Sequence, residues 1–279
     1  MPATPSPLGI IAGGGPLPGH VARAARAAGR DVFIVGLGDF ADPAVLAPFP
    51  HAIFRLGAAG QMLKALRAHG CTELVMIGPV RRPSFHDIRP DLAGTRILAK
   101  LGRAIFAGDD GLLAAFVRIL EEEGFRILGA HEILTGALGP LGLLAGPAPD
   151  DAARADIRRA IAVLRALGAA DVGQGCVVQQ GLVLAVEAVE GTDAMLARCG
   201  PLARPGPGGV LVKLVKPGQD RRADLPTIGA ATLTAAAAAG LRGIAFEAGG
   251  TILAEREAAI AEARRAGVFL LGIDPSSFA

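Results

Sequence analysis

Between Asp171 and Gly229 the acidic residues Glu187, Glu190, Asp193, Asp220 and Asp224 and the basic residues Lys213, Lys216, Arg221 and Arg222 stand among short apolar runs and glycine turns. Carboxylates beside lysines suit phosphoryl chemistry. The acids can hold an oxygen-ligated divalent metal and activate water, while the cations neutralise charge on phosphoryl oxygens. In LVLAVEAV, alternation puts Glu187 on one sheet face with Val183, Ala185 and Val189, where a carboxylate needs a cation or donors. Lys213, equally isolated in GVLVKLVK, is a candidate partner, so a structural ion pair is the alternative to a metal ligand. Glu190 and Asp193 bracket the turn EGTD, in which Thr192 is placed to cap the next helix and Asp193 to complement its dipole. Asp220 and Asp224 lie in KPGQDRRADLPTIG, which Pro217, Gly218 and Pro226 make a loop.

A second group of candidates stands in the first half. Gly13, Gly14 and Gly15 in IIAGGGPLP follow a strand and precede a helix, where backbone N–H groups can approach a phosphate. Pro18 replaces the third glycine of a dinucleotide fingerprint, and Asp39 follows a glycine instead of ending the second strand, so a turn needed only for tight packing is the alternative. Arg81 and Arg82 in GPVRRPSF follow another strand and suit either phosphate oxygens or solvent. Gly108, Asp109 and Asp110 read as a helix N-terminus with acids in its first turn. There is no GxxxxGK[ST] phosphate loop, and the five histidines lack metal-ligand spacing.

These residues need elements to hold them. From residue 8 to 130, apolar strands (LGIIAG, DVFIVGL, AIFRLG, ELVMIG) alternate with helical stretches, the pattern of a Rossmann-like parallel sheet covered on both faces. Between His131 and Pro149 the Gly- and Pro-rich EILTGALGPLGLLAGPAP marks a connection. We therefore place a Rossmann-like domain at residues 1–133 and a mixed α/β domain at residues 134–279. In the latter, Ile157, Ile161, Leu164 and Leu167 recur at helical spacing with Gly168 as a terminator, and CVVQQGLVLAVEAV reads as a hairpin turning near Gln180 and Gly181.

Composition narrows the class. Apolar residues form 51% of the chain, but no run reaches the about 18 residues of a spanning helix, and MPATPSP lacks the basic start of a signal peptide, so a cytoplasmic chain with a short leader is expected. A net charge of +2 from mixed signs, with no Trp or Tyr, speaks against nucleic acid. Cys71, Cys176 and Cys199 form no CxxC pair and are expected to be core thiols. The glycine turn also admits a nicotinamide-dependent oxidoreductase, or a non-catalytic nucleotide- or UDP-sugar-binding module.

The strings LGIIAGGGPLP, GPVRRP, GDDGLL, DVGQGCVVQQGLVLAVEAVEGTDAML, LVKLVKPGQDRRADLPTIG and GIAFEAGGTIL together resemble the UDP-2,3-diacylglucosamine pyrophosphatases of lipid A biosynthesis of the LpxI family, unrelated to the metallophosphoesterases of the same step. The resemblance covers nearly the whole chain and is most specific in the second half. It implies hydrolysis of UDP-2,3-diacylglucosamine to 2,3-diacylglucosamine 1-phosphate (lipid X) and UMP with Mg²⁺. It further implies a Rossmann-like N-terminal domain, a C-terminal domain particular to the family and a homodimer. The family's RxDxPTIG string falls on Arg222, Asp224, Pro226, Thr227, Ile228 and Gly229, making Asp224 the essential acid. On this resemblance Asp224, with Asp220, Glu187, Glu190 and Asp193, are expected metal ligands or their supports. Lys213 and Lys216 are expected on the pyrophosphate, and Gln219, Thr192 and Thr227 on sugar or phosphate oxygens. Gly13 to Gly15, Arg81 and Asp109 are expected on the nucleotide. A lipid substrate also implies peripheral contact with the inner membrane, and LGPLGLLAG or ATLTAAAAAGL is a candidate acyl groove.

Overall fold

The computed structural model describes residues 5–81, 90–102, 104 and 108–278; Arg82 and the first four residues, part of the stretch expected as a leader, lie outside them. The chain divides into two compact units, residues 1–135 with 220–224, and residues 136–219 with 225–279. Among the described residues no helix is long and apolar enough to cross a membrane.

In the first unit the strands are β1 (Leu8–Ala12), β2 (Val32–Leu37), β3 (His51–Phe54), β4 (Glu73–Ile77) and β5 (Arg126–Leu128). The helices are α1 (Leu17–Ala27), α2 (Pro43–Leu46), α3 (Ala59–Ala68), α4 (Leu92–Leu101), α5 (Asp109–Glu122) and α6 (Ala130–Ile133). All strand pairs are parallel, in the order β3-β2-β1-β4-β5. Every residue of β1 and β2 is buried, which is why they read as unbroken apolar runs instead of alternating ones. One face packs Ile11, Phe33, Val35, Leu74 and Met76 against α3, α4 and α5, while α1 covers β1 and β2 with Val21, Ala22 and Ala25.

The strand order reverses between β1 and β4, the position at which open α/β sheets leave a crevice beyond their carboxyl ends. The glycine turn and Gly78 meet here. Gly13 N donates to Ile77 O and Gly14 N to Pro79 O, each at 2.9 Å. The turn is thus stitched to the exit of β4, which takes up the N–H groups of Gly13 and Gly14 that were expected to face a phosphate.

The second unit holds β6 (Gly142–Ala145), α7 (Asp151–Ala169), β7 (Gly175–Gln179), β8 (Leu182–Val186), α8 (Gly191–Cys199) and β9 (Val210–Lys213). It continues with β10 (Thr227–Ile228), α9 (Ala230–Ala238), β11 (Gly243–Glu247), β12 (Ile252–Leu253), α10 (Arg256–Ala266) and β13 (Phe269–Ile273). Its main sheet runs β6-β13-β11-β9-β7-β8 and is mixed: β9, β11 and β13 are parallel, while β7 is antiparallel to both β9 and β8. Strand alternation divides the core in two. Val210 and Val212 face α7 with Ile157, Ile161 and Leu164, whereas Leu211 faces α8, α9 and α10 with Met195, Leu196 and Leu233.

Three expectations change here. The Gly- and Pro-rich stretch expected as a connection contains β6, an edge strand antiparallel to β13. Gly168 is the buried penultimate residue of α7, where a Cβ would come within 2.9 Å of Pro217; the helix ends at Ala169 and Asp171, beyond its cap, takes the left-handed conformation (φ 53°). The β7–β8 hairpin does turn at Gln180 and Gly181, but a register shift leaves Leu184 as a bulge. Val183 therefore pairs with Val178 and Ala185 with Val177, which face opposite layers, so simple alternation does not carry from Val183 to Glu187. Val189 lies beyond the strand and is exposed.

The three cysteines are buried and free, and burial pushes the Cys71 thiol to about 11 and that of Cys176 to about 12. They serve as core side chains.

The close approach at the switch point yields a prediction. A Cβ on Gly13 would clash with Gly78 O and sit 2.7 Å from Pro79 O, both backbone atoms that cannot swing aside. Gly13→Ala should lower stability by about 1–3 kcal/mol in thermal or urea unfolding. Gly200→Ala, whose Cβ meets nothing within 4 Å, should be close to neutral.

Candidate functional site

In the second unit, polar side chains collect at the carboxyl ends of β8 and β9. Lys213 closes β9, an interior strand, and alternation puts it on the face of Leu211, toward α8. It pairs with Gly175 across the ladder, and Glu187 N donates to Gly175 O at 2.8 Å, so the chain leaving β8 lies beside it. The side chains of Lys213 and Glu187 are 4% and 11% exposed. Charges so far from water must be compensated.

The compensation runs through a hydroxyl. Lys213 Nζ donates to Thr192 Oγ1 at 2.6 Å, and Thr192 Oγ1 donates to Glu187 Oε1 at 2.8 Å. The direct approach of Nζ to Glu187 Oε2 is 3.8 Å, too long for a hydrogen bond. Oε2 is buried with no hydrogen-bond partner among the described residues. A Cβ on Gly175 would lie 2.5 Å from this oxygen, so the glycine makes room for the carboxylate. The expected pairing of Glu187 with Lys213 is present, with Thr192 inserted between them. Thr192 does not cap α8; Glu190 stands at its N-cap and no side chain bonds the first turn.

Lys216 is held separately. Its Nζ donates to Asp171 Oδ1 at 2.5 Å, and its backbone N–H donates to Gln219 Oε1 at 3.0 Å. Gln219 in turn reaches Gln174 Oε1 at 3.4 Å. Asp171 and Gln174 were not singled out in the sequence. Asp171 carried one signal, an acid directly after a long helix in a position where Asn and Asp accept the left-handed conformation. Thr227 occupies β10, half-buried, with its hydroxyl directed to Leu225 O at 3.3 Å.

The remaining expected acids do not join this cluster. Glu190 is exposed and accepts from Arg198 NH2 at 2.6 Å, a bond that holds its carboxyl below the usual range. Asp193 is exposed in the first turn of α8. Among the described residues, no three His, Cys, Asp or Glu side chains gather closely enough to cage a metal ion. Mg²⁺ characteristically takes one or two carboxylates and completes its shell with phosphate oxygens and water, so it does not require a cage of five.

Asp224 belongs to the first unit. Residues 220–224 form a strap that leaves the second unit after Gln219 and returns to it at Leu225. Within the strap, Ala223 N and Asp224 N donate to Asp220 O at 3.0 and 3.1 Å, forming a turn. Arg222 fixes that turn by a fork on Asp220 (Nε to Oδ1 3.0 Å, NH2 to Oδ2 2.8 Å) and by NH1 to Glu121 Oε1 at 2.7 Å on α5. Ala223 packs against the core cluster of the first unit. Asp220 is thus an anchor for Arg222, and Glu121 is an anchoring residue that its position in an ordinary-looking helix concealed. Of the other candidates in this unit, Arg81 is exposed after β4 and Asp109 is exposed in the first turn of α5.

The strap yields a pH prediction. The Arg222 guanidinium holds the Asp220 carboxyl below its ordinary range. A depressed carboxylate contributes stability that is present above its unfolded value, near pH 4, and is lost as pH falls through the folded one. Arg222→Ala should therefore lower stability at pH 7 by at most about 1 kcal/mol, because the pair is screened, and in thermal melts the gap to wild type should narrow as the pH is taken below about 4.

Comparison with known proteins agrees with both halves of this architecture. The LpxI N-terminal domain model matches residues 7–137, and the LpxI C-terminal domain model matches residues 140–271. The chain is 47% identical over 274 residues to UDP-2,3-diacylglucosamine pyrophosphatase LpxI of Caulobacter vibrioides, covering 96% of this chain and 98% of that protein. With both domain models matched in order and the relative covered over nearly its full length, the chain belongs to the LpxI family.

Proposed function

We propose that this protein hydrolyses the pyrophosphate bond of UDP-2,3-diacylglucosamine, releasing UMP and 2,3-diacylglucosamine 1-phosphate in lipid A biosynthesis, with Mg²⁺ as cofactor. The observation that carries the reading is the near full-length identity to a relative named for that pyrophosphatase. The chemistry of each unit is compatible with it: the second has a buried lysine at a strand end and another three residues on, and the first has an aspartate in a hydrogen-bonded turn.

In this reading Lys213 and Lys216 neutralise charge on the phosphoryl oxygens as the bridging P–O bond breaks. Asp224 accepts a proton from the attacking water, whose oxygen bonds to phosphorus while the leaving phosphate keeps the bond's electron pair. Mg²⁺, when bound, supplies further charge neutralisation, and Asp224 with the substrate's phosphate oxygens would hold it. Gln219 and Thr227 orient sugar or phosphate oxygens. Gly15 and the start of α1, with Arg81 and Asp109, meet the nucleotide. Because the substrate carries two acyl chains, the protein works as a peripheral visitor, in homodimeric form, at the cytoplasmic face of the inner membrane.

Asp224→Asn should reduce kcat by about 10²–10⁴-fold in a protein that remains folded by circular dichroism. Thorough chelation should abolish release of UMP and lipid X, and added Mg²⁺ should restore it, as read by mass spectrometry of both products. Near-normal turnover by the folded Asn variant would remove Asp224 from the mechanism. Intact substrate after incubation with folded wild type would leave a binding module.

A further inference from the structure

We propose that Thr192 is a positioning residue that acts through Lys213, and that Glu187 is the buried counter-charge of that lysine, so that neither side chain binds substrate or metal. The inference rests on the reading that Lys213 faces the pyrophosphate. It follows from the direction of the hydrogen bonds. A threonine hydroxyl has one proton, and here it is given to Glu187 Oε1 at 2.8 Å, while an oxygen lone pair accepts from Lys213 Nζ at 2.6 Å. The chain therefore reads ammonium, hydroxyl, carboxylate, with each link charge-assisted.

The hydroxyl is needed because the charged partners do not meet. Nζ and Glu187 Oε2 stand 3.8 Å apart, and Oε2 is enclosed beside Gly175. Without the hydroxyl, the ammonium can regain an acceptor only by swinging toward Glu187, away from its position at the end of β9. Thr192 takes one of the three Nζ protons, and no other hydrogen bond from Nζ is present among the described residues, which leaves two donors for an anion. The element that supplies Thr192 is itself pinned: Arg198 of α8 donates to Val186 O at 2.5 Å and to Glu190 at 2.6 Å, tying the helix to the end of β8. Serine could replace the threonine link; valine, equal in shape, could not.

The test is a double-mutant cycle with a spectroscopic arm. Thr192→Val should lower kcat by about 10- to 100-fold, the cost of misplacing a catalytic group by about an ångström, with KM changed less than about twofold. Thr192→Ser should recover most of the loss. In a Lys213→Met background, where residual turnover is low, Thr192→Val should cost nothing further, because its effect passes through the missing ammonium. A Thr192→Val loss that multiplies with Lys213→Met, or one confined to KM, would show Thr192 acting on the substrate directly and overturn the proposal. So would a serine variant no better than valine.

The second arm needs no turnover. In protein labelled with ¹⁵N-lysine, the Lys213 ammonium, assigned by its disappearance in Lys213→Arg, should give a slowly exchanging resonance in wild type and Thr192→Ser. It should broaden away in Thr192→Val, or in Thr192→Ala if the valine variant does not fold. Persistence of that resonance in a folded variant lacking the hydroxyl would overturn the proposal. Failure of wild type to hydrolyse UDP-2,3-diacylglucosamine would instead remove the proposed function, and the spectra would still decide how Lys213 is held.

Discussion

A lysine ammonium at the end of an interior strand is the constraint to which the second unit is fitted. The Coulomb and desolvation costs of leaving that charge unpaired are several kcal/mol, so everything around β9 must supply acceptors in the right place. Glu187 can do so only because β8 ends where it does and because Gly175 has no side chain. Thr192 can do so only because α8 begins directly beyond and packs Met195, Leu196 and Cys199 onto the same face as Leu211. Charge compensation and core packing are here one arrangement, since the helix that seals the hydrophobic layer also delivers the hydroxyl.

The two units place their polar groups by the same rule. In the all-parallel sheet the glycine turn and Arg81 follow β1 and β4 on either side of the strand-order reversal. In the mixed sheet Lys213 and Glu247 end parallel strands, and Glu247 accepts from Val215 N at 3.1 Å, shaping the loop that leads to Lys216. Carboxyl ends of strands gather such residues because the chain must turn there and can offer side chains without breaking the ladder.

Much of this was legible in the sequence, for reasons that can be named. Apolar runs bounded by glycine give the parallel strands because burial on both faces removes the polar alternation. The Glu187–Lys213 pairing was readable because two isolated charges in strand-like segments have few other ways to be neutralised. What escaped had non-local causes. The bulge at Leu184 depends on how β8 registers against β7, and the burial of Gly168 depends on the approach of Pro217, far along the chain. Edge strand β6 hides in a Gly- and Pro-rich stretch because its partner β13 lies at the far end of the chain. Glu121 carries no local mark, since only the return of the strap gives it a guanidinium to hold.

That return has a bearing on how the chain is made. Residues 1–135 leave the ribosome long before residues 220–224, yet both belong to one compact unit. The nascent first unit must wait, with Glu121 unmatched, until most of the second has been translated. A gene split at the boundary between the two matched domains would yield an amino-terminal fragment without the aspartate on which hydrolysis is proposed to depend. The order of synthesis thus withholds that carboxylate until late in translation.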